Sequence, residues 1–472
     1  MLHRHIAQGA YSRFYILLGA CTVAATVAAF PANAQQPTNS GTGLGPSQEE
    51  AQPLVPVPPP PVGDHLFGDW WGVRSDLRNM GIVLNFDYTS ETASNISGGL
   101  RTGTDYAHQL SAGADIDWDK IAGLTGFSTH TVLVERAGRN ASNDYIGDHV
   151  LQAQEIYGAG FGQAAHLVYM YGEEKLLDGR IDIAAGRFFP GVDFAASPLY
   201  CNFMTLTICG HPRALTSTQG FIDWPQNTWG GRIRVRPTAE TYVMVGGFES
   251  QPFPGGGRSG FDFSSSKVTG ATIPVELAWE PVFGPNQLLG HYKLGYVYDT
   301  SSFNDSFADN NDASFVLSGL APRKDQGRSS FYATFDQMLI RTGPAQNQGL
   351  TILGAFDHND PGTSLFRNFI WTGLLYSGFW PARPNDQIGL AYTWYQVSNN
   401  LTRTEEVEQQ FGLPPTYAFG IQNTAGVIEA NYNFPVYRGV QLQPEFEYFM
   451  RPGGVTTVHD AAVLGIKVHV SF

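Results

Sequence analysis

The end of the chain carries the clearest pattern of apolar and polar positions. Between Ala462 and Phe472 every second residue is apolar, and the residues between them are mostly small or polar, among them Gly465, Lys467 and His469. A period of two is the signature of a β-strand with one face in apolar surroundings and the other in water. A terminal strand that also ends in an aromatic residue is typical of the last strand of a bacterial outer-membrane β-barrel.

The same alternation predicts sixteen strands along the chain. They lie near 81–92, 107–118, 126–137, 163–174, 180–189, 228–237, 240–250, 272–281, 289–301, 328–341, 348–358, 367–379, 385–397, 422–434, 440–450 and 459–472. A further apolar stretch, Phe315 to Leu317, is assigned to a loop, because single-chain bacterial barrels have even numbers of strands.

The connections between these strands alternate in length. The long ones are 93–106, 138–162, 190–227, 251–271, 302–327 and 398–421, and short turns such as 119–125 and 175–179 separate them. Long extracellular loops and short periplasmic turns are expected of an outer-membrane barrel, whereas a soluble β-sandwich has no reason to alternate. The chain is therefore predicted to be all-β, a transmembrane antiparallel β-barrel of about sixteen strands over residues 81–472. Its lumen would be too wide for side chains to fill, which favours a water-filled porin.

Three segments are predicted ahead of the barrel. Residues 1–34 have the basic start, apolar core and A-x-A cleavage pattern of a signal peptide that is removed on export. Residues 35–63 are polar and then proline-rich, which predicts a disordered linker; tethering to the cell wall or to a partner is the alternative. Residues 64–80 have the apolar spacing of a short helix, which we assign to the periplasmic side.

Composition agrees with export and membrane insertion. The 472 residues include 31 Phe, 21 Tyr and 9 Trp, which suits the aromatic girdles where barrels meet lipid headgroups. No apolar run of about 18 residues follows the signal, so no spanning helix is predicted. The formal net charge is −14, and loss of Arg4 and Arg13 with the signal makes it −16. So acidic a chain argues against nucleic acid as a partner.

Two cysteines remain after the predicted cleavage. Cys201 and Cys209 form an isolated pair in an exported chain, which indicates a disulfide. No second group of Cys or His residues completes a metal site, and His211 is assigned to the loop. We expect no metal and no cofactor. The sequence also has no G-x-S-x-G, H-E-x-x-H or phosphate-binding glycine motif, so we predict that the protein is not an enzyme.

The longest loop, 190–227, is the candidate constriction. It follows the fifth strand and holds the cysteine pair together with Asp193, Arg213, Asp223 and Trp224. A long loop that is pinned by a disulfide is able to fold into the lumen and narrow it. The alternative is that it forms a cap on the surface.

The strand after this loop carries three arginines on one face. Ile233 and Val235 are expected to face lipid, so Arg232, Arg234 and Arg236 share the lumen face; an arginine at the lipid midplane costs about 2–4 kcal/mol. Guanidinium groups are suited to sugar hydroxyls as well as carboxylates, and charged groups of this kind set the selectivity of a pore. The alternative is that the arginines form internal ion pairs that stiffen the wall. Carboxylates predicted on other lumen faces are Asp115, Asp117, Glu276, Glu429, Glu445 and Glu447.

Several motifs resemble those of the carbohydrate-selective porin family OprB. They are Gly68–Arg74, Ala185–Phe188 with Asp193-Phe194 after it, and the Cys201 and Cys209 segments ahead of Trp229–Arg232. The resemblance covers roughly residues 64–472 and implies a sixteen-stranded outer-membrane barrel that admits glucose and related sugars by passive diffusion. It also implies a lumen role for Arg187 and Arg232 and a loop-bracing disulfide between Cys201 and Cys209. Strict alternation in the fifth strand points Arg187 outward, so its lumen role requires a bulge.

These observations predict a porin of the bacterial outer membrane through which carbohydrates diffuse passively. Its surroundings would be outer-membrane lipid and lipopolysaccharide, and both a monomer and a homo-oligomer remain open. The arginines leave a second interpretation, a pore that prefers small organic anions. A barrel-embedded enzyme or an adhesin is a third interpretation, which nothing in the sequence favours.

Overall fold

The computed structural model describes residues 65–156, 165–209, 211–218, 221–251, 260–416 and 420–472. Over these residues the chain is mainly antiparallel β-strand, as its alternation predicts. The predicted signal peptide (1–34) and linker (35–63) lie outside the described residues.

The described residues form seventeen strands, and all of them except the two-residue β9 make up one closed wall. The strands are β1 Ile82–Gly99, β2 Gly103–Asp117, β3 Phe127–Gly138, β4 His166–Leu176, β5 Ile181–Phe188, β6 Thr228–Thr238, β7 Thr241–Ser250, β8 Gly270–Trp279, β9 Val282–Phe283, β10 Leu288–Asp309, β11 Pro322–Arg341, β12 Gly349–Asn359, β13 Phe366–Ser377, β14 Gln387–Val397, β15 Thr424–Tyr437, β16 Val440–Met450 and β17 His459–Ser471. The two-residue β9 pairs only with the start of β10, while β8 pairs with β10 directly. Because β1 pairs with both β2 and β17, the sheet closes into a barrel. All sixteen predicted strands are confirmed.

Short helices lie ahead of β1 and in the connections between strands. They are α1 Val73–Asn79, α2 Trp118–Ala122, α3 Arg213–Thr218, α4 Phe315–Ser318 and α5 Asn399–Phe411, with 3₁₀ turns at Trp70–Gly72, Pro190–Val192, Tyr200–Asn202 and Pro452–Gly454 and a π-turn at Ser142–Ile146. Within the described parts of the chain, no helix has the length and apolarity needed to cross a membrane. The stretch Phe315 to Leu317 falls in α4, in the connection between β10 and β11, so its predicted position in a loop is confirmed.

Two connections are shorter than predicted, and the long-loop assignment of 93–106 is wrong. Strands β1 and β2 continue to Gly99 and from Gly103, which leaves a loop of only 100–102. Strands β10 and β11 likewise extend into the predicted loop 302–327. The reason is that apolar alternation reports contact with lipid, whereas backbone pairing continues into water, where both faces of a strand are polar.

The two faces of the wall differ as the period of two predicts. On β17, Leu464 is 51% exposed on the outer face, while the neighbouring Val463 and Lys467 on the inner face are 0% and 4% exposed. On β6, Ile233 is exposed and Arg232 is buried. The outer face is therefore apolar, and the inner face carries the charges.

Two buried apolar groups pack loop 190–227 against the inner face of the wall. One joins Tyr200 and Phe203 of loop 190–227 to Trp371 of β13 and its neighbours. The other joins Phe194 of the same loop to Phe248 of β7, with ring centroids 6.3 Å apart. Each fully buried aromatic side chain contributes about 1.5–3 kcal/mol by leaving water. The loop is thus held inside the barrel by packing as well as by polar contacts.

Candidate functional site

Loop 190–227 begins its path across the lumen beside β6. Asp193 accepts a hydrogen bond from Arg232 Nε at 2.9 Å. Further along, the backbone N–H of Ala195 donates to Glu276 of β8 at 2.8 Å, and Ser197 donates to Asp336 of β11 at 3.1 Å. These partners all lie on the inner face of the wall, so the loop folds into the lumen rather than over the surface.

The tip of the loop reaches the opposite wall. The backbone N–H groups of Met204 and Thr205 donate to the two oxygens of Glu429 on β15, at 2.9 and 3.0 Å. Met204 also packs against Gly465 of β17, where an added Cβ would lie 2.9 Å from the Met204 methyl and 2.5 Å from Glu445 Oε1. Only glycine leaves room for this approach. The loop therefore spans the barrel and is fixed at both ends.

A disulfide closes the tip. Cys201 and Cys209 are bonded, with an S–S distance of 2.00 Å, which confirms the predicted pairing. Closing so short a segment contributes about 2–3 kcal/mol in the chain-entropy treatment. The Glu155 carboxylate lies within 4.8 Å of both sulfurs, but bonded sulfurs offer no thiolate to a metal ion.

The arginines of β6 are neutralised by carboxylates; we call this group the arginine side. Arg232 contacts Asp193, Glu173 of β4 at 2.7 Å and Asp182 of β5, and its side chain is 0% exposed. Arg234 also pairs with Asp182, and Arg236 lies 2.8 Å from Glu280. The arginine side comprises Arg232, Arg234, Arg236, Glu173, Asp182, Asp193 and Glu280. Its geometry fits the alternative in which the arginines form internal ion pairs, because each of the three guanidinium groups is already bound to a carboxylate.

Acidic groups dominate the opposite side, which we call the carboxylate side. It comprises Glu91 of β1, Glu155 of the loop after β3, Glu429 of β15, Glu445 and Glu447 of β16, and Lys467 of β17. Lys467 Nζ lies 3.0 Å from Glu155 and 3.6 Å from Glu91. Both oxygens of Glu445 and of Glu447 are buried and have no hydrogen-bond partner among the described residues. This side therefore has five acidic groups to one basic group, and two of the acids lack a hydrogen-bond partner among the described residues.

Three other candidates lie in the second half of the loop. Arg213 starts α3 and donates to Thr216 at 3.1 Å. Asp223 lies 3.0 Å from His211; burial opposes its ionisation, but His211 and the hydrogen bonds it receives together lower its pKa. Trp224 donates from Nε1 to Gln109 of β2 at 2.8 Å. Trp224 thereby ties the end of the loop to β2.

Arg187 does not lie with the other arginines. The pairing of β5 with β6 is regular and sets Arg187 opposite Trp229, on the same outer face as Ile233. Arg187 donates to Asn227 at 2.8 Å, and its guanidinium lies 5.2 Å from the Phe263 ring centroid. No bulge turns it inward, so the lumen role implied by the resemblance does not fit the structure.

Four further residues lie beside the loop and carry no sequence motif. Arg136 donates to Gln109 Oε1 at 2.6 Å, the same oxygen that accepts from Trp224. Glu155, which is 20% exposed, pairs with Lys467. The alternation along their strands places Lys467 and Gln109 on the inner face, but no motif marks either one as a site residue. Glu155 lies in a loop, where there is no periodicity to predict its position.

A closed barrel of sixteen long antiparallel strands, apolar outside, charged inside and narrowed by an inward loop, defines a porin of the bacterial outer membrane. The family model described as carbohydrate-selective porin, OprB family, matches residues 101–472. Porin B of Pseudomonas aeruginosa is 30% identical over 442 residues, which cover 91% of this chain and 95% of that protein. The solved "High pH structure of Pseudomonas putida OprB" has a TM-score of 0.80 and 31% identity, and the match covers 88% of this chain and 99% of that one.

The chain belongs to the carbohydrate-selective porin family OprB. It is an outer-membrane porin for carbohydrates, and the family and the fold imply a channel rather than an enzyme.

Proposed function

We propose that the pore admits uncharged carbohydrates of monosaccharide size, such as glucose, and disfavours small anions. The solute passes beside loop 190–227 and crosses the level of the carboxylate side on its way to the periplasm. The size limit rests on the loop, which is anchored to β6 by Asp193 and to β15 by Glu429 and so narrows the lumen across its whole width.

The pairing of charges carries the proposal. Every guanidinium of the arginine side has a carboxylate partner, and Arg232 has three. Across the lumen, the side chains of Glu445 and Glu447 have no hydrogen-bond partner among the described residues. Fixed charges along a pore favour solutes of the opposite sign and oppose those of the same sign. This arrangement supports passage of neutral and cationic solutes and speaks against the organic-anion alternative.

Polar groups beside the loop suit a hydroxyl-rich solute. Glu155 offers acceptor oxygens and the half-buried Gln109 offers an amide N–H, and a sugar hydroxyl both donates and accepts. Each hydrogen bond to the wall replaces one to water, so the net gain is only about 0.5–1.5 kcal/mol. Such weak contacts let the solute leave again, as passive conduction requires.

The sequence candidates divide into three roles in this proposal. Arg232, Arg234, Arg236 and Asp193 position the loop and stiffen the wall. Arg213, Asp223 and Trp224 line the approach from the extracellular side, and Trp224 offers a ring face to a sugar. Arg187 lies on the outer face and takes no part in selection.

Swelling of liposomes that contain the purified barrel tests the size limit. We expect rapid swelling in isotonic glucose and slow swelling in an isotonic disaccharide. The matched variant is Glu429→Ala, which releases the loop tip and is expected to bring the two rates closer together. Equal rates for both sugars in the unchanged protein would contradict the proposal and indicate a general diffusion pore.

A further inference from the structure

The segment before β1 is fixed beneath the seam where the barrel closes. His65 Nδ1 lies 2.8 Å from the Ser471 hydroxyl, and Arg74 donates to His65 Nε2 at 2.9 Å and to the main-chain oxygen of Phe472. The backbone N–H of Leu66 donates to Ser471 O at 2.7 Å. Residues 65–80 therefore have a set position against the end of β17, at the end of the barrel that carries the short turns.

This segment continues the lipid-facing surface of the wall. The Trp70 and Phe86 ring centroids are 5.9 Å apart, and Phe86 is exposed on the outer face of β1. Phe67 lies 5.6 Å from the ring of Phe472 at the end of the last strand. The aromatic residues of the segment thus stand directly below the apolar outer face.

The segment leaves large apolar side chains uncovered. Trp71 is 103% exposed and Phe67 is 65% exposed, and Val73 and Met80 are also exposed. Trp71 adopts a left-handed backbone conformation with φ of 59°, which is uncommon for a bulky residue. The exposed side chains belong to a segment with a fixed position, because His65 and Arg74 of the same segment are buried.

A basic group accompanies the aromatic residues. The Arg438 guanidinium lies over Gly68, where an added Cβ would be 3.6 Å from Nη1. The Arg438 side chain belongs to the turn between β15 and β16 and is exposed. Guanidinium groups bind phosphate oxygens through paired donors.

We propose that residues 65–80, together with Arg438, form an anchor for the periplasmic leaflet of the outer membrane. Trp71 and Phe67 enter the boundary between headgroups and acyl chains, and Arg438 binds a lipid phosphate. Tryptophan favours this boundary because its ring is apolar and its N–H remains wet. The continuity with the lipid-facing wall through Phe86 and Phe472 argues for a bilayer rather than a protein as the occupant.

A site-specific fluorophore tests this anchor in the full chain. An environment-sensitive label is attached at Val73→Cys, whose thiol reacts while Cys201 and Cys209 stay in their disulfide, and the protein is reconstituted in phosphatidylcholine vesicles. The matched control is the same label at Leu320→Cys, a residue that is 51% exposed but lies in the long loop between β10 and β11. Lipids brominated near the top of the acyl chain should quench the label at 73 and leave the label at 320 unaffected.

Adding Trp71→Ser should reduce this quenching several-fold, because the segment loses its main apolar contact with the bilayer. Equal quenching at positions 73 and 320, or strong quenching of both labels by aqueous iodide, would overturn the anchor.

The phosphate contact has its own test. In mixed vesicles, brominated phosphatidylglycerol should quench the label at 73 more than brominated phosphatidylcholine does, and Arg438→Gln should remove that difference. Lys120→Gln, at another short turn where Lys120 pairs with Asp117, serves as the control and should keep the difference. Identical quenching by the two lipids in the unchanged chain would overturn the role of Arg438.

Discussion

The two sides of the lumen differ in how their charged groups are paired. On the arginine side, Arg232 is surrounded by three carboxylates and is fully buried. On the carboxylate side, Lys467 pairs with Glu91 and Glu155, and Glu445 and Glu447 have no hydrogen-bond partner within the described part of the chain. A row of like charges on a strand is conspicuous in a sequence, but the sequence does not show which of those charges are paired in the fold.

The two sides also differ in what they do for the loop. The arginine side holds its start through Asp193, and the carboxylate side holds its tip through Glu429. Buried ion pairs roughly balance their desolvation cost against their attraction, so their main effect here is to fix geometry. A carboxylate without a partner is costly to bury and gains from any donor that approaches, including water or a sugar hydroxyl.

The largest effect is expected from breaking the arginine side. Arg232→Met leaves Glu173, Asp182 and Asp193 without their common partner, and removing one member of a buried ion pair costs about 3–5 kcal/mol. We expect the variant to unfold at lower urea concentration in liposomes and to fold in poor yield. The isosteric control is Asp193→Asn, which keeps a hydrogen-bond acceptor for Arg232 and should cost less. Unchanged stability of Arg232→Met would show that these contacts do not hold the wall.

A loss of comparable size is expected at the tip of the loop. Glu429→Ala leaves the backbone N–H groups of Met204 and Thr205 without acceptors, at about 1–3 kcal/mol for each buried group. We expect single-channel currents to become noisier and larger, because the tip is no longer fixed. Glu429→Gln keeps one acceptor oxygen and should lie between the variant and the unchanged protein. Identical currents in all three proteins would mean that Glu429 does not set the width of the pore.

Measuring the charge selectivity of variants distinguishes the contributions of the two sides of the lumen. Replacing Glu445 and Glu447 by Gln should lower the preference for cations, measured as the reversal potential across a salt gradient in a planar bilayer. A charge at about 4 Å in water is worth about 1 kcal/mol, so a shift of roughly two- to fivefold in the permeability ratio is expected for each charge that the ions approach. The matched change on the other side, Arg236→Gln, should shift the ratio less, since Arg236 already pairs with Glu280. A larger shift for Arg236→Gln would reverse the assignment.

The smallest effect is expected at Arg187. Arg187→Gln removes a guanidinium that faces away from the lumen, so sugar uptake and reversal potential should stay as they are. A modest loss of stability is expected, since the hydrogen bonds to Asn227 are weakened. Altered selectivity would place Arg187 in the conduction path.

The strands were predictable because lipid outside and water inside impose a period of two on each of them. The length of the first hairpin could not be predicted, because β1 and β2 continue beyond the lipid, where the apolar alternation stops. Which face Arg232 occupies follows from its neighbour Ile233, but its three partners come from β4, β5 and the loop, and only the three-dimensional register brings them together. Glu155 is a lone acid in a loop and gave no signal.

Uptake of three sugars with one ring size tests the central claim, that unpaired carboxylates rather than the arginines govern passage. Glucose, glucosamine and glucuronate have similar rings but are neutral, positive and negative, and their radiolabelled forms can be followed into vesicles that contain the full chain. We predict that glucose and glucosamine enter readily and that glucuronate is excluded. Entry of glucuronate at a rate equal to or above that of glucosamine would contradict this account and restore the arginines as the selecting groups.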